Sequence, residues 1–314
     1  MGKRLGRTAR ADVAVIGGSG LYDMEGLGQV REVRPTTPFG RPSDVVVLGS
    51  LNGRRVAFLS RHGRGHRISP TAINYRANIY ALKSLGVAKI FSVSAVGSMK
   101  KQIKPGEMVL PNQFIDRTQH RISTFFDQGV VAHVAFADPI CQPLSHVLWQ
   151  AARKAKAKVH PKGTYLCIEG PQFSTRAESM LYRQWGVDVI GMTNLPEAKL
   201  AREAEICYAT LALVTDYDCW HESEEAVSVG AIFSIMHKNV ALAKQVLRYA
   251  LHEVPETRAC PCARALDHAV VTAPQAMSAS AHRRVRLLLN RQSAKTTKGS
   301  RKDGELVGRG VGRI

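Results

Sequence analysis

The sequence predicts a single α/β domain built round one mixed sheet, from three observations. Apolar runs of strand length alternate with amphipathic stretches of helical spacing from residue 11 onward. No Pro- or Ser-rich linker interrupts residues 11–274. Polar and glycine-rich clusters stand directly after the apolar runs, which is where open α/β sheets hold their ligands.

The elements follow in order. DVAVIGGSG, Asp12 to Gly20, reads as a buried strand ending in a glycine turn. Asp44–Gly49 and Arg55–Ser60 read as two strands separated by Asn52-Gly53, a dipeptide suited to a tight hairpin. Ser69 followed by Pro70 has the form of a helix cap and first turn. Ala72, Tyr75, Ile79 and Leu82 then recur at helical spacing until Gly86. Further strands are predicted at Lys89–Ser94, Glu107–Leu110, Gly163–Ile168, Val187–Gly191 and Ile206–Thr215, and helices at 142–157, 175–185 and 196–204. A long last helix at 229–251 carries Ile232, Met236, Val240, Ala243, Leu247 and Leu251 on one stripe.

Composition narrows the class. The 314 residues are 45% apolar and 22% charged, which excludes disordered, collagen-like and coiled-coil proteins. No 18-residue stretch lacks Asp, Glu, Lys and Arg, so no apolar membrane helix is expected. The basic start MGKRLGRTAR runs into a strand rather than an apolar signal core, and a cytoplasmic protein is expected. Six cysteines are too few for a disulfide scaffold; Cys141, Cys167, Cys207 and Cys219 lie in apolar segments and are expected as reduced, buried thiols.

The net charge of +19 is uneven: residues 1–10 hold four basic residues and no acid, whereas residues 275–314 hold ten basic residues against Asp303 and Glu305. Three regions follow: a basic extension at 1–10, the domain at 11–274, and a basic tail at 275–314. The tail has one apolar run, Leu287–Leu289, and is expected to stay disordered. Contact with RNA or another anionic surface is its functional alternative, although it lacks interleaved aromatic residues for base stacking. Nucleic acid is not an expected partner of the core.

Four clusters carry chemistry. Gly17-Gly18-Ser19-Gly20 can bring backbone N–H groups to an anion, or simply turn the chain; no dinucleotide fingerprint or Walker lysine accompanies it. Arg61-His62-Gly63 offers a guanidinium fork and an imidazole to phosphate or carboxylate, or is a surface charge pair. Ser94-Ala95-Val96-Gly97-Ser98 leaves room for a flat ligand. Thr215-Asp216-Tyr217-Asp218 sets two acids at the mouth of a buried strand, where one can hold a raised pKa and donate a proton, or both can cap the next helix. No metal-ligand spacing joins these acids to His221, and no nucleophile elbow is present. An anion cradle plus paired acids suggests phosphate attacking a substrate whose leaving group needs a proton.

These clusters sit within longer matches: VIGGSGL, TPFGRPSD, RHGRGHRISP, NYRANIYALK, PGEMVLPNQFIDRT, IEGPQFSTRAES, GMTNLPEAKLAREAEICYA and VTDYDCWHESEEAVSV. Over residues 12–252 the chain resembles the 5'-methylthioadenosine phosphorylases of the purine nucleoside phosphorylase superfamily. The resemblance implies a mixed, partly barrel-like sheet flanked by helices, assembly as a homotrimer or a hexamer of trimers, and phosphate-dependent release of adenine and 5-methylthioribose 1-phosphate. It implies inorganic phosphate as co-substrate and neither metal nor organic cofactor. By motif, Gly17, Ser19, Arg61, His62, Ser94, Ala95 and Thr193 would hold phosphate, with Ser19 where many members have threonine. Met192 would lie against the ribose and Phe173 against the purine. Asp216 would meet N7 and Asp218 the 6-amino group. His66, His133, Val229, Ile232 and Phe233 would surround the methylthio end, part of it from a neighbouring subunit. The segment Cys260-Pro261-Cys262 resembles one that forms a disulfide in some microbial members, implying a redox-sensitive stabilising element.

Two other activities fall outside this reading. A phosphorylase of inosine or guanosine would have Asn at the first acid, and methylthioinosine enzymes lack the paired acids.

Overall fold

The computed structural model describes residues 10–21, 24–221 and 229–289. Among them eleven strands form one mixed sheet, with six α-helices. The first strand, β1 (Val13–Gly17), is buried throughout and pairs in parallel with β4 (Arg54–Ser60) and β5 (Lys89–Ser98). Beyond β4 lie β3 (Val46–Leu51), joined to it by the Asn52-Gly53 turn, and the edge strand β2 (Gly28–Val33).

The sheet forks at β5. On one edge β1 follows Lys89–Ser92, after which β10 (Val189–Gly191) takes over antiparallel at Gly97–Ser98. Through β10 the sheet continues to β9 (Thr164–Ile168) and β7 (Gln113–Arg117), all parallel. On the other edge β11 (Cys207–Asp216) follows β5 along its length, and β6 (Met108–Val109) and β8 (Val159–His160) extend that side. The parallel run of β4, β1, β5 and β11 brings Gly17, Ser60, Ser94 and Asp216 towards one end of the sheet, the end that all four apolar runs lead into.

Helices α2 (Gln142–Lys154), α4 (Glu197–Glu203) and α5 (Val229–Glu253) pack on β11, while α1 (Tyr75–Ser84) packs on α4. The stripe predicted for α5 is borne out at Ala243, Leu247 and Leu251, which are buried, whereas the side chains of Ile232 and Met236 lie outside the described residues. Helix α3 (Arg176–Gln184) starts on a capping box: the Thr175 hydroxyl accepts from the Glu178 N–H, and the Glu178 carboxylate accepts from the Thr175 N–H.

Two expectations need correction. Helix α1 starts not at Ser69-Pro70 but after Asn74, whose side-chain oxygen accepts from the Ala77 N–H; residues 69–72 close a separate turn. The tail is not disordered from residue 275, because Ala279–Leu289 forms α6. Ala281, Val285 and Leu288 recur at helical spacing and are buried, and the Arg284 guanidinium pairs with Asp127, which Arg76 also holds. Three apolar positions that look isolated in a basic sequence thus make one face. Residues 290–314 lie outside the described residues. Leu288→Ala is expected to cost about 2–3 kcal/mol, read as a lower midpoint in urea with an unchanged slope; an unshifted midpoint would mean α6 contributes nothing to the core.

The edge strands β2, β7 and β8 have no counterpart in the sequence reading, because their half-buried or exposed residues make no apolar run. Cys141, Cys167 and Cys207 are buried as expected, while Cys219 is half-buried; all six cysteines are free thiols.

Candidate active site

The anion cluster forms where β1 and β4 end beside the middle of β5. The Arg61 N–H donates to the Gly17 carbonyl at 2.9 Å, tying the two strand ends together. Gly17 is closely packed: a Cβ there would stand 2.4 Å from Leu21 Cδ1 and 3.3 Å from the Val93 carbonyl oxygen. Next to it the buried hydroxyls of Ser60, Ser94, Tyr165 and Thr193 make no hydrogen bond of normal geometry among the described residues, with Ser94 and Tyr165 lying beside each other. Buried hydroxyls carry a desolvation cost when unpaired, so donors gathered in this way fit an anion with several oxygens. Ala95 is the one exposed residue within the otherwise covered run of β5, which opens the sheet to a ligand there. Ser19 lies in the short turn Ser19–Leu21 after β1, its side chain outside the described residues.

Arg61 corrects the expectation of an open guanidinium fork. It is only 2% exposed and Glu197 is fully buried; Nε and Nη2 donate to the two Glu197 oxygens at 2.8 and 2.9 Å. Nη2 also donates to Ser92 Oγ at 2.8 Å and Nη1 to the Val93 carbonyl at 3.0 Å. A buried cation requires such pairing, and among the described residues one Nη1 hydrogen of its five donors is left for a ligand. Burial alone would lower the Arg61 pKa, but the Glu197 charge and hydrogen bonds raise it on balance. The carboxylate is further fixed by the Tyr208 hydroxyl at 2.8 Å.

His62 is neutral near pH 7, its pKa lowered to about 4, first by burial and then by the nearby Arg61 and His66, against the opposing hydrogen bond to Ile68. Its Nδ1 lies 2.8 Å from the Ile68 carbonyl, an acceptor, so Nδ1 carries the proton and Nε2 is left to accept. The ring of His66 stacks on it with centroids 4.2 Å apart.

The acids stand across β5 from this cluster. A register shift between Val214 and Asp216 brings Asp216 opposite Gly97. Its carboxylate accepts from the Thr215 hydroxyl at 2.6 Å and the Asp218 N–H at 2.9 Å. Burial raises its pKa and the Asp218 charge adds to that, against the pull of the two hydrogen bonds. Asp218 sits at positive φ, 52°, and accepts from the Ser174 and Ser179 hydroxyls. A small core of Met99, Leu166, Tyr182, Val187, Ile190 and Trp220 supports this turn, with Trp220 Nε1 donating to the Ser98 carbonyl at 2.7 Å.

The loop after β10 carries Met192 and Thr193, and Arg121 braces it. Its Nη1 donates to the Met192 and Leu195 carbonyls, each at 2.6 Å, and its Nε to Glu169 at 3.1 Å. Burial would raise the Glu169 pKa, but N–H donors from Gln119 and His120, the Thr71 hydroxyl and Arg121 hold it down at about 2. Sequence reasoning missed Glu197, Ser92, Arg121, Glu169, Ser174 and Ser179. These are partners brought in from distant segments. Only their place inside the long matched motifs could have flagged Glu169, Ser174, Ser179 and Glu197.

Not every expected residue joins the site. Phe173 is 75% exposed, beside the loop at Gly170, where Met192 packs. His133 is exposed and its N–H donates to the Ala269 carbonyl at 2.8 Å, on the stretch that pairs with the 270s rather than at the acids. Val229, Ile232 and Phe233 fall in the first turns of α5, and their side chains lie outside the described residues.

A mixed α/β enzyme whose central strand carries an anion cluster on one side and paired acids on the other is the class that fold and site define. The phosphorylase superfamily sequence profile matches residues 12–252. An S-methyl-5'-thioadenosine phosphorylase of Geobacter sulfurreducens is 60% identical, covering 88% of this chain and 97% of the relative, and one of Koribacter versatilis is 55% identical over 90% and 97%. Among solved structures, a methylthioadenosine phosphorylase from an antarctic soil metagenomic library matches with TM-score 0.85 and 54% identity, covering 90% and 99% of the two chains. A methylthioadenosine phosphorylase from Schistosoma mansoni in complex with adenine matches at 0.75 and 35%, over 82% and 97%. The chain belongs to the phosphorylase superfamily and, within it, to the S-methyl-5'-thioadenosine phosphorylases.

Proposed function

We propose that this enzyme cleaves 5'-methylthioadenosine with inorganic phosphate, giving adenine and 5-methylthioribose 1-phosphate, in purine and methionine salvage. The observation that carries this reading is the pairing of buried hydroxyls and Arg61, gathered on one side of β5, with Asp216 and Asp218 beside Gly97 further along that strand.

As the N-glycosidic bond lengthens, the ribose becomes cation-like and negative charge gathers on the purine. Phosphate beneath the sugar and a proton at N7 stabilise that state more than the ground state. The hydroxyls of Ser94 and Thr193, the remaining Arg61 N–H and the backbone at Gly17 and Ala95 hold the phosphate, with Ser19 adding a hydroxyl. His62 Nε2 accepts from the phosphate hydroxyl, because the ring is neutral. Asp216, protonated or sharing a proton, delivers it to N7, and Asp218 accepts from the 6-amino group, oriented by its two serines. Met192 lies along the ribose. A 6-oxo purine would set its carbonyl against the Asp218 carboxylate in a dry pocket.

No metal or organic cofactor has a part in these steps. The site is completed in a homotrimer or a hexamer: His133 stands away from the acids in its own chain and is free to serve a neighbour, joining His66, Val229, Ile232 and Phe233 round the methylthio end. Exposed Met180 and Leu181 on α3 and Trp185 at its end offer apolar surface for assembly. Among the described residues no helix is long and apolar enough to cross a membrane, and we place the enzyme in the cytoplasm.

Purine release from methylthioadenosine, adenosine, inosine and methylthioinosine tests the substrate. Methylthioadenosine is expected to lead by kcat/KM; an inosine preference would overturn the roles of Asp216 and Asp218. Gly97→Ala tests the geometry. Its Cβ would stand 3.1 Å from Asp216 Oδ2, 3.2 Å from Ile190 and 3.3 Å from Asp218 Cβ. Displacing both acids should lower kcat/KM for the nucleoside at least about tenfold, with the KM for phosphate little changed. Wild-type rates in that variant would mean the acids do not need this register.

A further inference from the structure

Four cysteine sulfurs from three parts of the chain meet at the amino end of β11. Cys207 opens that strand, Cys141 caps α2, and Cys260 and Cys262 flank Pro261 in the segment after α5. All four Sγ atoms lie within 4.8 Å of one another, and all four are free thiols. Cys141, Cys207 and Cys262 are buried and Cys260 is half-buried. Four thiolates about 2.3 Å from one tetrahedral zinc ion are about 3.8 Å apart, which falls within the observed spread.

The cluster is held from outside. The Cys141 N–H donates to the Tyr208 carbonyl and the Cys207 N–H to the Ala88 carbonyl, each at 3.0 Å, so both sulfurs are fixed to the sheet. The C-terminal segment is fastened beside them: Arg258 Nη1 donates to the Glu205 carbonyl at 2.6 Å and the Leu266 N–H to the Glu205 carboxylate at 3.3 Å. Four thiolates round a divalent ion leave a net negative charge. Arg202 beside Cys262 and Lys89 beside Cys207 are placed to offset it. An all-sulfur donor set favours zinc over the oxygen-seeking magnesium and calcium.

We propose that Cys141, Cys207, Cys260 and Cys262 form a structural zinc site that fastens the segment after α5 to the sheet. The site departs from the expectation of no metal and of a Cys260–Cys262 pair acting alone. It takes no part in turnover: Cys207 and Asp216 are at opposite ends of a ten-residue strand, about 30 Å apart. Binding converts four thiols to thiolates and releases their protons.

The test uses the full, untagged chain expressed with zinc in the medium and purified without chelator. Atomic emission should find about one zinc per chain, and a mercurial that caps thiols should release it. The Cys260→Ser, Cys262→Ser variant should carry less than a tenth of that and unfold about 5 °C lower while keeping its turnover at 25 °C. Cobalt substituted into the wild type should show thiolate charge-transfer bands. Wild-type protein that holds less than a tenth of a zinc per chain would overturn the site, whether its four cysteines react freely with an alkylating agent or resist it as two disulfides. Because this reading is taken on the wild type, a variant that fails to fold does not decide it.

Discussion

Asp216→Asn is expected to lower turnover of methylthioadenosine about 100-fold, the usual scale of a lost general acid. The carboxamide keeps the hydrogen-bonded position opposite Gly97 and can donate to N7, but has no proton to transfer. The pH dependence separates this role from a packing role. An acid catalyst must be protonated, and burial together with Asp218 raises the Asp216 pKa, so the wild-type rate should fall as pH rises through that value. The variant should lack that alkaline limb. Stability should move the other way: a carboxyl whose pKa is raised on folding binds its proton more tightly in the native state. Its contribution is present below the ordinary carboxylate range and is lost as pH rises through the raised value. The variant, with nothing to ionise, should unfold at the same temperature or higher at neutral pH. Full activity, or a loss that follows a lowered unfolding temperature, would remove Asp216 from the acid role.

Glu197→Gln should have the largest effect on stability. Arg61 and Glu197 are both buried, and the pair is satisfied by two short bonds, Ser92 and the Tyr208 hydroxyl. A carboxamide leaves the guanidinium charge buried without its counter-charge, at a cost of about 3–5 kcal/mol. For a domain of this size that is an unfolding midpoint lower by about 10 °C. The KM for phosphate should rise about tenfold or more, since Arg61 then has no fixed position. Replacing both partners, Arg61→Met with Glu197→Leu, should restore much of the stability and none of the phosphate binding. If Glu197→Gln melted like the wild type, the buried pair would not be what holds the cradle.

The strand ends were legible in the sequence because apolar runs such as DVAVIGG and ICYATLALVTD are buried on both faces and then stop at polar residues. The same contrast made Arg61, Ser94 and Asp216 visible, each one or a few positions past the end of such a run or inside one. What closes the site was not legible. Glu197 meets Arg61 across 136 positions and Arg121 meets Met192 across 71, and no local pattern records such partners. Asp218 adopts a positive φ and is held by two serines from a distant segment, neither of which a local pattern records. The four-cysteine cluster escaped for the same reason: only Cys260 and Cys262 are near each other in sequence, and Cys-x-Cys alone is a weak signal. Helix α6 was hidden by charge, since three arginines and a histidine are interleaved with the three residues that pack.

On the proposed mechanism phosphate, held where β1 and β4 end beside β5, is the group that takes the ribose from adenine. Adenine release from methylthioadenosine should therefore be followed with phosphate present and with phosphate rigorously removed. Release that requires phosphate, saturates with it and yields one sugar phosphate per adenine is the predicted result. Release at the same rate without phosphate, with free methylthioribose as the product, would make the enzyme a hydrolase and contradict the assignment of the cradle.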